Sequence, residues 1–143
     1  MVSRTCENDS KCFCNRFFDR IDYMKIFVSH SNNYDFQNEL YMPLRKSGLN
    51  EKNEIILPHE NGQDVITKDI IKDCNLIVAE VSYPSTGQGI ELGWANMLNI
   101  PIVCMHKEGI ESSRSLRKIT NDFIVYKDSN DMISKLSEYI SEK

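Results

Sequence analysis

From Met24 onward the rhythm of apolar and polar positions changes at regular intervals. "MKIFVSHS" (24–31) is rich in β-formers and closes on small polar residues, which predicts a strand. Phe36, Leu40 and Leu44 recur every four residues with Tyr41 beside them, predicting an amphipathic helix that stops near Gly48. "EIILP" (54–58) reads as a second strand, and Ile66, Ile70 and Ile71 as a helix over about 64–73. "NLIVAEV" (75–81) is apolar almost throughout, the pattern of a central strand buried on both faces. Ile90, Trp94, Met97 and Leu98 then give the i, i+4, i+7, i+8 spacing of a helix laid on a sheet. "IPIVCMH" (100–106) is a fourth strand, with Pro101 at its start where a missing donor is tolerated. A short helix over about 112–119 leads to a fifth strand, "DFIVYK" (122–127). Met132, Leu136, Tyr139 and Ile140 mark a closing helix.

Strands alternating with helices predict an α/β fold: a doubly wound, five-stranded parallel sheet of flavodoxin-like order 2-1-3-4-5, with helices on both faces. Such sheets bind ligands beyond the C-terminal strand ends, at the switch between strands 1 and 3. Topology alone therefore selects "SHSNN" after strand 1, "PHENG" after strand 2 and "SYPSTGQG" after strand 3. Ser29 and His30 in the first become candidate substrate- or phosphate-binding residues, and His59 in the second a candidate catalytic residue.

The 143 residues, 41% of them hydrophobic, suit one compact domain over 24–143. Residues 1–23 lack periodicity and are expected to form a flexible extension; Met24 is itself a candidate start. A net charge of −4 with scattered Lys and Arg argues against nucleic acid as the main partner. No apolar run is long enough for a membrane span or a signal peptide, and the odd cysteine count of five suits a reduced, cytoplasmic chain. Cys6, Cys12 and Cys14 fall in the extension; the C-x-C pair can place two thiolates on one ion, but zinc wants four ligands. No metal and no cofactor is expected. Cys74 and Cys104 read as buried, inert thiols.

The third loop admits two readings. Ser85 and Gln88 fit a capping box, S-x-x-Q, and Glu91 suits a helix start. Yet Gly87 and Gly89 in the opening turn each cost up to ~1 kcal/mol relative to alanine if helical. Glycine suits places where a backbone takes positive φ or something approaches closely. Exposed amides, the Ser85 and Thr86 hydroxyls and the helix dipole together would hold a phosphate. The pattern is neither a Walker A loop nor G-x-G-x-x-G, which disfavours ATP hydrolysis.

The stretch "NLIVAEVSYPSTGQGIELGWANMLNIPIVCMHK" resembles the nucleoside 2-deoxyribosyltransferase superfamily, above all its 2'-deoxynucleoside 5'-monophosphate N-hydrolase branch. That branch carries A-E-V-x-x-P-S-x-G-x-G-x-E-L-G, matched from Ala79 to Gly93. The resemblance implies a cytoplasmic hydrolase or transferase of nucleotide metabolism that cleaves the N-glycosidic bond of 2'-deoxynucleosides or their 5'-monophosphates. It places Glu91 on the nucleophilic carboxylate, with chemistry like that of retaining glycosidases. It further implies that Ser85 and the neighbouring glycine backbone hold the 5'-phosphate. Ser115 would reach the phosphate of a second subunit, hence a homodimer.

Two positions depart from the pattern. The family's first strand carries a tyrosine near the nucleophile, where this chain has Ile26; Tyr83, Tyr34 and His30 are candidates for its task. The family's aspartate falls eight residues before Asn75, where this chain has Thr67. Asp64 comes within ~60° of the right helix face, whereas Asp69 lies ~160° away, so Asp64 is preferred and Asp69 held second. His59 is a candidate acid for the leaving base, its ordinary pKa lying near neutrality. "IFVSHS" also resembles the first strand of TIR domains, keeping an NAD glycohydrolase as an alternative. A degenerate nucleotide-sensing module without catalysis is the other.

Overall fold

The computed structural model describes residues 23–62 and 65–143. The expectations about the N-terminal extension, its cysteines and Asp64 lie outside those residues. β1 (Lys25–His30), β2 (Glu54–Ile56), β3 (Leu76–Glu80), β4 (Ile102–Lys107) and β5 (Phe123–Tyr126) form one sheet ordered β2-β1-β3-β4-β5. Every neighbouring pair is parallel. β3 is central as expected, and all five of its residues are buried. The order 2-1-3-4-5 is therefore observed.

Alternate strand residues feed two cores, because successive side chains point to opposite faces. On one face Ile26 and Val28 pack with Leu40 and Leu44 and with Met132 and Leu136. These helical residues come from α1 (Met42–Lys46), the π-turn Gln37–Tyr41 before it, and α5 (Ser129–Ser141). On the other face Phe27, Ile77 and Ala79 meet Ile71, Leu92 and Ala95 of α3 (Lys68–Ile71) and α4 (Thr86–Met97). A short helix α2 (Gly48–Lys52), absent from the periodicity, follows α1. The helix expected over 112–119 is the 3₁₀ segment Arg114–Lys118. Cys74 and Cys104 are buried free thiols, as expected.

Two helices differ from their sequence pattern. The span read as helix over 64–73 shortens to a single turn at α3. Isolated helices below about 12–15 residues are marginal, so tertiary burial must hold it; Ile71 is fully buried. In α4 the buried line is Gln88, Leu92 and Ala95, while Ile90, Met97 and Leu98 are exposed. The apolar stripe thus points outward, with Trp94 only partly buried at its edge. On that buried line the Gln88 side chain donates to two strand carbonyls, beside the apolar Leu92 and Ala95. Among the described residues no helix is long and apolar enough to cross a membrane.

Candidate active site

β1 ends by delivering Ser29 to the α4 side of the sheet, fully buried. The chain entering α3 delivers Thr67, also buried. Between them, on α4, stands Glu91. Ser29 Oγ donates to Glu91 Oε1 at 2.7 Å, and Thr67 Oγ1 donates to Oε2 at 2.9 Å. Each carboxylate oxygen therefore has its own hydroxyl donor, an arrangement that fixes the carboxylate plane and favours its charged form. Burial acts more strongly in the opposite direction. The Glu91 pKa is raised by desolvation, against the lowering effects of Ser29, Thr67 and the nearby His59. A desolvated yet oriented carboxylate is suited to attack an electron-poor carbon.

Thr67 is thus the residue that the family pattern showed only as a missing aspartate. Asp69 does not take that place. Its side chain is 79% exposed and pairs with Lys72 at 3.8 Å, on the solvent side of α3. Nor do the candidate tyrosines reach the carboxylate. Tyr83 Oη accepts from Lys107 Nζ at 3.0 Å, and the Tyr34 ring packs on Tyr83 at 4.9 Å between centroids. Ile26 is core, and its three-residue-later neighbour Ser29 supplies the contact.

His30, expected to bind substrate or phosphate, has partners within the protein for both ring nitrogens. Its Nδ1–H donates to the Ser31 carbonyl at 2.9 Å, and Nε2 accepts from Tyr41 Oη at 2.7 Å. Burial drives its pKa down to about 4, so the ring is neutral and both nitrogens are engaged. Such a ring offers a phosphate neither charge nor a free donor. Tyr41 Oη in turn accepts the backbone N–H of His59 at 3.0 Å. The His59 ring lies 5.4 Å from that of His30 and close enough to Glu91 to favour its negative form. Beside it, Arg45 grips both oxygens of Glu60 at 2.8 Å, which removes that carboxylate from the chemistry and anchors the loop.

The start of α4 keeps both of its roles open. Ser85 is the N-cap, accepting from Gln88 N at 3.4 Å, so its own proton remains available to a ligand. The capping box is only half made: the Gln88 side chain turns instead to the carbonyls of Ser29 (3.1 Å) and Glu80 (2.8 Å). Gly87 and Gly89 lie within the helix, and positive φ occurs elsewhere, at Gly62, Gly109 and Asn99. Around Gly89 a Cβ would meet nothing within 4 Å, and at Gly87 only Ser85 Oγ at 4.0 Å. Of the two reasons for glycine, positive φ is excluded and open access to the backbone remains. Thr86 is exposed on this turn, and Ser115 is exposed in the 3₁₀ segment.

At the end of β3, on the sheet face away from α4, Glu80 Oε1 accepts from Ser82 N at 2.9 Å, and Oε2 accepts from Ser82 Oγ at 2.6 Å and from the Tyr126 hydroxyl. These bonds curl the chain as it leaves β3 toward Ser85. A cavity of about 870 Å³ at Met24, Leu49, Asn53 and Ile140 lies at the N-terminal strand ends, opposite Glu91. Among the described residues no group of three or more His, Cys, Asp or Glu is arranged to hold a metal ion.

No family model matches the chain. A protein of Syntrophotalea carbinolica, named a candidate 2'-deoxynucleoside 5'-phosphate N-hydrolase, is 47% identical over 45 residues, 32% of each chain. A protein of Thermofilum pendens with the same name is 32% identical over 85 residues, 54% of this chain and 59% of its own. The matches thus span between a third and about three-fifths of those relatives. A CMP N-glycosidase of Clostridium botulinum shares the fold at TM-score 0.56 and 24% identity, over 79% of this chain and 98% of its own. A conserved protein of Enterococcus faecalis does so at 0.54 and 16%, over 82% and 99%. In local sequence and in fold, the superfamily that this chain resembles is that of the nucleoside 2-deoxyribosyltransferase-like proteins.

Proposed function

We propose that the chain is an N-glycosidic enzyme that releases the base from 2'-deoxynucleoside 5'-monophosphates, with Glu91 as nucleophile. The observation that carries this reading is the Glu91 carboxylate, desolvated and held at both oxygens by Ser29 and Thr67 at the ligand end of the sheet.

In the proposed reaction Glu91 attacks C1' of the sugar as the C1'–N bond breaks, and the bonding pair leaves with the base. His59 gives the departing nitrogen its proton. Water then adds at C1', displacing Glu91 as carboxylate and yielding 2-deoxyribose 5-phosphate; the proton released restores His59. A second base in place of water would make the reaction a transfer. The 5'-phosphate sits on Ser85, Thr86 and the amides at Gly87 and Gly89. Their open approach and the helix dipole support that placement. Ser115 reaches the site of a second subunit in a homodimer; its exposed side chain supports this.

The test is a panel of deoxynucleoside monophosphates, CMP, deoxynucleosides and NAD, with free base followed by chromatography. Base release from the monophosphates is expected. Release from NAD instead would favour a TIR-like glycohydrolase, and binding without release a sensor.

A further inference from the structure

We propose that Gln88 is a positioning residue that couples the phosphate cradle to the nucleophile through Ser29. The inference rests on the reading just given, that Ser85 and its turn hold phosphate and that Glu91 attacks the sugar.

Three contacts make the connection. The Gln88 backbone N–H donates to Ser85 Oγ at 3.4 Å, inside the cradle. Its side-chain Nε2 donates to the Ser29 carbonyl at 3.1 Å and to the Glu80 carbonyl at 2.8 Å. Ser29 Oγ then donates to Glu91 Oε1 at 2.7 Å. α4 therefore grips Ser29 twice, at its backbone through Gln88 and at its side chain through Glu91. Ser85, Gln88 and Glu91 follow one another at three-residue spacing, which keeps neighbours on adjoining sides of the helix.

Gln88 is buried, so its amide is shielded from water that would otherwise compete for the two carbonyls. Both amide protons are used, one for each neighbouring strand. This is an unusual investment for a helix position whose ordinary need is a reciprocal cap. An apolar residue there would lose both strand carbonyls and leave Ser29 held to α4 through Glu91 alone. With Gln88 in place, a phosphate that draws the first turn of α4 inward also sets Ser29 and the Glu91 carboxylate. Binding energy from the non-reacting end of the substrate is then expressed at the reacting carbon, which raises kcat more than it lowers KM.

The test splits the substrate in two. Inorganic phosphate is added to an unphosphorylated deoxynucleoside, and base release is followed in the wild type and in Gln88→Met. Phosphate affinity is measured separately by calorimetry. In the wild type, phosphate is expected to accelerate release about tenfold. Gln88→Met is expected to bind phosphate with unchanged Kd and to lose the acceleration. Acceleration retained in the variant, or absent from a wild type that binds phosphate, overturns the coupling.

Should Gln88→Met not fold, Ser29→Ala breaks the last link and, with its rate taken relative to its own phosphate-free rate, must lose the acceleration as well; keeping it overturns the proposal. If the wild type releases no base from any nucleotide, the nucleophile reading fails on its own. The coupling is then read from the Ser29 carbonyl carbon resonance. Phosphate must move it in the wild type and not in Gln88→Met, and an equal response in both overturns the coupling.

Discussion

Thr67 donates its hydroxyl to Glu91 Oε2 at 2.9 Å, from the position where the resemblance to the deoxyribosyltransferase superfamily implies an aspartate. A neutral donor in place of a second carboxylate changes the electrostatics of the site. Two carboxylates side by side would raise each other's pKa, whereas a hydroxyl lowers that of its neighbour. Thr67→Val removes this donor and keeps the shape. Burial then acts with less opposition, and the Glu91 pKa rises further. Because Glu91 must be ionised to attack, the acid limb of the kcat/KM profile is expected to move up by about one pH unit. A pH–rate profile checks it, and an unmoved limb removes Thr67 from the site.

The same desolvation makes Glu91 a cost to stability. A carboxyl whose folded pKa lies above its unfolded value of 4.5 binds its proton more tightly in the folded state. Its stabilising effect is complete below pH 4.5 and is lost as pH rises through the folded pKa. Glu91→Gln abolishes that dependence. The variant is expected to show a higher Tm than the wild type near pH 7, with the difference shrinking toward pH 4. Thermal scans across pH decide the matter; equal Tm values throughout would mean the carboxylate is not desolvated.

How much of this was visible in the chain depends on which forces set each feature. The strands were legible because runs such as Leu76–Glu80 are apolar on both faces, and right-handed crossovers then leave few strand orders. Glu91 and Ser85 were legible as part of a fifteen-residue pattern. Thr67 was visible only as a vacancy, because its contact depends on how the chain enters α3. Gln88 fits a capping box with Ser85 by sequence, since the three-residue spacing is the same whichever way its side chain turns. The choice belongs to two carbonyls far away in sequence. With Gln88, Leu92 and Ala95 on the buried side of α4, Ile90 and Met97 face outward against the periodicity.

His30 tests the local electrostatics. Its pKa, lowered to about 4 by burial, means the ring stays neutral across the physiological range. A folded pKa below the unfolded 6.5 gives stability that is present above pH 6.5 and lost as pH falls through about 4. Nitrogen-15 NMR is expected to show the Nδ1–H tautomer from pH 5 to 8, with Tyr41→Phe weakening that preference. A doubly protonated ring at pH 6 would contradict the assignment.

Ser85→Ala separates phosphate binding from chemistry. Its hydroxyl accepts from Gln88 N and has a proton to give a phosphate oxygen. Loss of one such charge-assisted bond is expected to lower kcat/KM for a monophosphate about tenfold. The unphosphorylated deoxynucleoside should be nearly unaffected. Equal losses for both substrates would confine Ser85 to capping.

The nucleophile itself is tested most directly by trapping. A 2'-fluoroarabinosyl nucleoside 5'-monophosphate forms the glycosyl-enzyme but slows its hydrolysis, because fluorine destabilises the oxocarbenium-like transition state. After incubation, peptide mass spectrometry is expected to find one sugar phosphate esterified to Glu91, and no adduct in Glu91→Gln. Base release from the natural substrate that continues in Glu91→Gln, or an adduct on another residue, would contradict the assignment of Glu91.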